Sequence, residues 1–183
     1  MKKSLILLLL LLVFHSCGTE TLPKPKSYLT LQYPNSTYVK QNFNCPYSFE
    51  VSSQAIVEPK DNCWLKIEYP HLKATVHITY RSVDNNLNQI LSEVEKLTFE
   101  HTVKADVINA IPYENLEKRV FGKLYSIQGD VATNIQFRVT DSVKNVLAGA
   151  LYFYTKPNYD SIVPAIKYIE KDIIHLVETI EWK

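Results

Sequence analysis

The chain has 183 residues and a formal net charge of +1, with 46% apolar against 21% charged residues. Such a chain can bury a sizeable core, which argues against long disordered regions. Its basic residues are scattered, so no nucleic-acid partner is expected. Its glycines, at 18, 122, 129 and 149, are too far apart for a phosphate loop, a dinucleotide fingerprint or a nucleophile elbow.

Residues 1–16 read as a signal peptide: Lys2 and Lys3, an apolar run over 5–14, then His15 and Ser16. The run is shorter than the roughly 20 apolar residues of a permanent span. Cys17 follows a small residue and resembles the acylated cysteine of a lipobox, although Phe14 and His15 depart from the usual pattern. The alternative is an ordinary signal peptide with a chance cysteine. Lipid chains on Cys17 predict an anchor that holds the protein on a membrane without crossing it. Residues 17–27, with Pro23 and Pro25, then form an extended tether rising about 3 Å per residue. Gly18 lacks the inner-membrane retention role that Asp plays in some bacteria, so an outer-membrane anchor facing the periplasm is expected. Removing Lys2 and Lys3 turns the charge from +1 to −1.

Residues 28–183 read as one globular domain. Cys45 and Cys63 are an even pair in an exported chain, where oxidation favours a disulfide. The alternative is a metal site, but neither cysteine belongs to a C-x-x-C, and His71 and His77 lack a familiar zinc spacing. Strands are expected at 28–33, ending at Pro34, and at 46–51. Strands at 64–69 and 74–80 flank 70–73, which predicts a hairpin. Leu87, Ile90, Leu91, Val94, Leu97 and His101 recur at helical spacing after a cap at Asn85 or Asn86. Glu93, Glu95 and Lys96 are expected away from that stripe.

Further strands follow. Residues 107–111 stop at Pro112, 119–128 lead into a turn at Gly129 and Asp130, and 134–140 alternate as a strand with one wet face. Residues 146–154 are apolar on both faces and belong at a sheet centre with layers above and below. The last helix is expected to start at a cap on Asp160 or Ser161, with Pro164 in its first turn. Ile162, Ile166, Ile169, Ile173, Leu176 and Ile180 supply its apolar stripe, and Trp182 finishes it.

The order predicts an α+β protein, an antiparallel β-sheet with flanking helices in a three-layer sandwich. It resembles the Mog1/PsbP-like fold, in which a strand after the central helix carries Gly-x-x-Tyr (here Gly122 and Tyr125). There a terminal helix ends in an apolar–aromatic patch, here Ile180 and Trp182.

Signals for chemistry are sparse. Asp172, His175 and Glu178 share a helical face that could bind a metal, but a solvated charged edge is the commoner meaning, and no metal is expected. Glu100 and His101 lie near a helix end, where a cationic His favours the dipole. No catalytic residue and no cofactor is assigned, and no small-molecule substrate is evident.

Several stretches taken together resemble one family. They are 22–29 (LPKPKSYL) with 32–34 (QYP), 45–50 (CPYSFE), 63–64 (CW), 67–75 (IEYPHLKAT), 97–106 (LTFEHTVKAD) and 151–161 (LYFYTKPNYDS). With the lipid cysteine they resemble the gliding-motility lipoprotein GldD family. The resemblance implies an envelope component of a motility machinery linked to type IX secretion. It implies no catalytic residues, only Cys17 as a functional position. A non-enzymatic adaptor or assembly factor docking on envelope proteins is the expectation. Tyr33, Tyr69, His71 and Tyr159 are the candidate interaction surface, since Tyr supplies contact area at modest entropy cost. The alternative is that these tyrosines merely cover the sandwich edges. A small-ligand or lipid-binding domain and a cryptic hydrolase using His77, His101 and His175 are the other classes to test.

Overall fold

The structure, a computed structural model, describes residues 32–100, 104–155 and 158–183. The leader, Cys17, the tether, His101 and most of the strand expected at 28–33 lie outside the described residues; Gln32 and Tyr33 have no regular structure. The strands are β1 (Tyr38–Asn42), β2 (Tyr47–Ser52), β3 (Ile56–Pro59), β4 (Leu65–Tyr69), β5 (Ala74–Ser82), β6 (Val107–Asn115), β7 (Val120–Gln128), β8 (Thr133–Thr140), β9 (Asn145–Phe153) and β10 (Glu181–Trp182). Helix α1 (Leu87–Glu100) joins β5 to β6, and helix α2 (Tyr159–Glu178) joins β9 to β10. This is an α+β protein built mostly on antiparallel strands, as its alternating segments predict.

Seven strands form one sheet in the order β3-β4-β5-β9-β8-β7-β6. β9, apolar on both faces, takes the middle position. Its inner residues Leu147 and Leu151 are fully buried, and Val146 on the other face is 1% exposed. The expected hairpin joins β4 and β5 through a short 3-10 turn, with Lys73 in the left-handed region. A second sheet, in the order β1-β2-β10, was only partly legible. Trp182, expected to finish the helical stripe, instead pairs with Tyr47 of β2 in β10.

The main core lies between the second sheet, α2 and one face of the large sheet. Ile166, Ile169, Ile173, Leu176 and Ile180 are each 5% exposed or less, and they meet Tyr47, Phe49, Leu65, Ile67 and Phe137. Burying a side chain of this size contributes about 1.5–3 kcal/mol. Cys45 and Cys63 are bonded, with Cα atoms 5.6 Å apart. The bridge fastens the approach to β2 onto the approach to β4, and the Tyr47 hydroxyl donates to the Cys63 carbonyl there at 2.5 Å.

Helix α1 covers the opposite face, by contacts that correct the expectation for Glu95. Its Oε1 accepts from Lys123 Nζ at 3.3 Å and from the Tyr125 hydroxyl at 3.2 Å, and its Oε2 accepts from Arg138 Nη2 at 3.4 Å. The wet face expected for β8 is also corrected, with α1 residues beside Gln136. Asn134 and Gln136 are buried, and Asn134 donates to the carbonyls of Ile127 and Gly129. Asn86 precedes α1, but its side-chain oxygen accepts from the Asp84 N–H behind it rather than from the helix.

Two proline expectations change. β6 continues through Pro112, which an edge strand tolerates because its missing N–H need not break a ladder. α2 starts earlier than expected, capped by the Asn158 side chain accepting from Ser161 N–H, so Pro164 falls in its second turn. Gly122 is required by close packing. A Cβ there would lie 1.9 Å from the Arg138 carbonyl oxygen.

Candidate functional site

Asp172 was expected on a solvated edge, yet it is 3% exposed. It lies three residues after Ile169 and four before Leu176, so the helix carries it to the border of the buried stripe. Its Oδ1 accepts from Ser36 Oγ at 2.7 Å and from the Tyr38 hydroxyl at 3.0 Å, and its Oδ2 accepts from the Tyr69 hydroxyl at 3.1 Å. Burying an unpaired carboxylate is costly, and these hydroxyl donors offset that cost. Burial, then the neighbouring Asp172 charge, pushes the Tyr69 phenol far above its ordinary value. Burial raises Tyr38 as well. Both phenols therefore stay protonated as donors. The network clamps the segment before β1, β1 itself and β4 onto α2.

The clamp continues outward. The Tyr38 ring stacks on His175 with centroids 3.6 Å apart, and His175 Nε2 lies 2.7 Å from Glu50 Oε2. Glu178, the third member of the helical face, is exposed. Among the described residues no group of three or more His, Cys, Asp or Glu side chains could hold a metal ion.

Two adjoining cavities open beside this clamp, sharing Tyr33, Pro34 and Tyr168. The first, about 310 Å³, is walled by Tyr69, His71 and Leu72. The second, about 390 Å³, is rimmed by Asn35, Ser36, Lys167 and Lys171. The rings of Tyr33 and Tyr168 stack 4.7 Å apart. Both of their hydroxyls are buried and have no hydrogen-bond partner among the described residues. An orphaned hydroxyl costs about 1–3 kcal/mol, so a pair of them in one wall calls for an explanation.

The structure thus brings Tyr33, Tyr69 and His71 together and leaves Tyr159 elsewhere. Tyr159 donates its N–H to Asp130 Oδ1 at 2.7 Å, beside the Gly129 turn. Tyr69 is 4% exposed, which corrects its expected role as a presented anchor: its ring is a wall and its hydroxyl is spent on Asp172. Cys17 lies outside the described residues. Sequence reasoning missed Tyr38, Lys167, Tyr168 and Lys171. The available signal was the flank of the α2 stripe, where an acid, a tyrosine and two lysines lie on turns adjoining buried isoleucines.

Two other regions bear on function. Under α1, His77, Thr79, Leu97, Gln136 and Tyr152 line a cavity of about 200 Å³. Burial, followed by the Lys66 charge, lowers the His77 pKa. At the sheet margin, Ile111, Pro112, Tyr113, Leu124 and Ile174 line an apolar cleft of about 140 Å³. No helix among the described residues is long and apolar enough to cross a membrane.

Comparison with known families matches residues 18–182 to the model described as gliding motility lipoprotein GldD. No curated protein matches the chain.

Proposed function

The chain belongs to the gliding motility lipoprotein GldD family, and on that premise we propose that it is a non-enzymatic adaptor or assembly factor of the type IX secretion-linked gliding machinery. Membership makes it a lipoprotein of the cell envelope. The proposal adds Cys17 as the lipid-bearing residue, residues 17–27 as the tether and the periplasmic side of the outer membrane as its place. It also adds the finer fold likeness to Mog1/PsbP-like domains, supported by the tight packing at Gly122 and by the helices on opposite faces of the large sheet.

The observation that carries the adaptor reading is the contrast between the margins of the large sheet. β3 is four residues long, ends in Pro59 and carries Glu58, which pairs with Lys60 and Lys66. Short length, charge and proline blunt an edge against further pairing. β6 also holds a proline and an acid, Pro112 and Glu114, but it is nine residues long, pairs among the described residues with β7 alone, and has neither proline nor charge from Val107 to Ile111. Val107 and Ile111 on it, and Leu116 just beyond, are 44%, 51% and 71% exposed. An extended partner segment can add to such an edge through main-chain hydrogen bonds, with an apolar side chain entering the adjoining cleft.

A photocrosslinking residue at Ile111 in living cells is expected to trap a defined envelope protein, and one at Glu58 is not. Equal yields at the two margins would refute docking on β6. Cys17→Ser is expected to release the protein from the membrane fraction and to abolish gliding. Retention of both would refute the tethered arrangement.

A further inference from the structure

We propose that the two cavities sharing the Tyr33–Tyr168 stack form one binding site for a small phosphate-bearing amphiphile. Lys167 and Lys171 would hold the phosphate, and its apolar or ring-shaped body would lie against Tyr33, Tyr69 and Leu72. This goes beyond the adaptor reading and does not depend on the β6 margin.

Three observations carry it. Lys167 and Lys171 lie one helical turn apart on the rim of the second cavity, and neither has an ion-pair partner among the described residues. Like charges at that spacing repel, so an anion between them removes a standing cost. Elsewhere on the surface the acids and bases are often paired, as in Lys40 with Glu181 and Arg81 with Glu93. Other lysines, such as Lys73 and Lys144, also lack an acid partner among the described residues; Lys167 and Lys171 differ in sharing one cavity rim.

The second observation is the orphaned hydroxyls of Tyr33 and Tyr168 in the wall common to both cavities. Sealed from solvent and unpartnered among the described residues, each phenol becomes a donor to a ligand's acceptor when its ring turns out of the stack into the cavity. The neighbouring hydroxyls cannot serve, because Ser36, Tyr38 and Tyr69 already donate to Asp172. That same arrangement occupies both oxygens of the buried carboxylate and turns it away from an incoming anion.

The third is the change of character along the site. The first cavity is walled by tyrosine rings, Pro34 and Leu72, while the second carries the lysines with Asn35 and Ser36. A ligand that spans both has an apolar part and an anionic end. Inorganic phosphate alone would leave the tyrosine wall unused.

The test uses the full lipidated protein in a neutral maltoside detergent, titrated by calorimetry with ³¹P NMR as the second readout. Hexyl phosphate is expected to bind at least tenfold more tightly than inorganic phosphate or hexanol. The Lys167→Gln/Lys171→Gln variant, altered at exposed positions, is expected to lose at least tenfold of that affinity with its unfolding temperature no lower than before. Tyr168→Phe is expected to weaken hexyl phosphate several-fold while raising the unfolding temperature of the free protein, because it removes a buried hydroxyl that has no partner among the described residues, a combination that a purely structural hydroxyl would not show.

Dihexanoyl phosphatidylglycerol and glucose 1-phosphate then separate the sources. Preference for the first assigns a lipid headgroup, whereas preference for the second, a ligand with no apolar part, overturns the amphiphile. No binding of hexyl phosphate, or binding that survives loss of both lysines, overturns the site. Crosslinking at Ile111 reads the adaptor proposal separately.

Discussion

The two faces of the seven-stranded sheet are covered by helices held in different ways. α2 meets its face through isoleucine, valine and leucine side chains that are almost wholly buried, joined by one buried acid. α1 buries only Ile90 and Thr98, leaves Leu97 half exposed, and is tied down by Glu95 reaching Lys123, Tyr125 and Arg138. Apolar burial scales with area and is indifferent to moderate acid and salt. Partly exposed ion pairs are worth about 0–1 kcal/mol and fade with both. The α2 side is therefore the frame of the molecule, and the α1 side is the part that conditions can loosen.

Ile169→Ala on the α2 side should break the frame most severely, at about 2–5 kcal/mol by urea denaturation, because the residue is fully buried and leaves a cavity. A loss below about 1 kcal/mol would mean the frame has been misplaced. Gly122→Ala should cost about 3 kcal/mol, since its methyl group would meet the Arg138 carbonyl rather than a side chain that can turn away.

Replacing Cys45 and Cys63 together by Ala should cost about 3 kcal/mol, the chain-entropy figure for a closed loop of this order, with the loss absent when both proteins are compared under reducing conditions. Asp172→Ala should cost about 1–3 kcal/mol by leaving the Tyr69 hydroxyl buried without its acceptor. Asp172→Asn, which keeps an acceptor, should cost less.

The smallest effect sharpens the contrast. Burial works against the Glu95 charge, but the Lys123 hydrogen bond and the charges of Arg138 and Lys123 outweigh it, so its pKa lies below the ordinary carboxylate value. A carboxylate depressed in the folded state contributes stability above its unfolded pKa of about 4.5 and loses it as pH falls through the folded value. Protection factors of the α1 amides, corrected for the intrinsic pH dependence of exchange, should therefore fall on acidification below about pH 4.5 while those of α2 hold. Glu95→Gln should cost at most about 1 kcal/mol and flatten that acid response. Equal acid sensitivity in both helices would dissolve the distinction.

Much of this architecture was legible because its signals are local. The both-faced apolar run of β9 announced the sheet centre, and the isoleucine stripe announced a core-facing helix. What escaped depends on which element arrives opposite. Residues 38–42 (YVKQN) hold one clear apolar residue and give no alternation, so β1 forms chiefly because β2 offers it a ladder. Gln136 looks like part of a wet face until α1 lies beside it, and Asn134 until the Ile127 and Gly129 carbonyls take its amide. Asn158 takes the helix cap from Asp160 and Ser161 because its side chain reaches the Ser161 N–H first, a choice that a run of capping residues leaves open.

The candidate site divides the same way. Tyr33, Tyr69 and His71 stand out as tyrosine- and histidine-bearing turns, and two further tyrosines and two lysines of the site do not. Asp172 meets a hydroxyl 136 positions away at Ser36 and another 103 positions away at Tyr69. By itself the sequence determined the helices, most of the strands, the cysteine pairing and the family, since periodicity, composition and motif order need no partner. Only the tertiary structure decided which polar groups are buried, which are satisfied and which are left wanting, because burial is a property of the surfaces that meet and not of either segment alone.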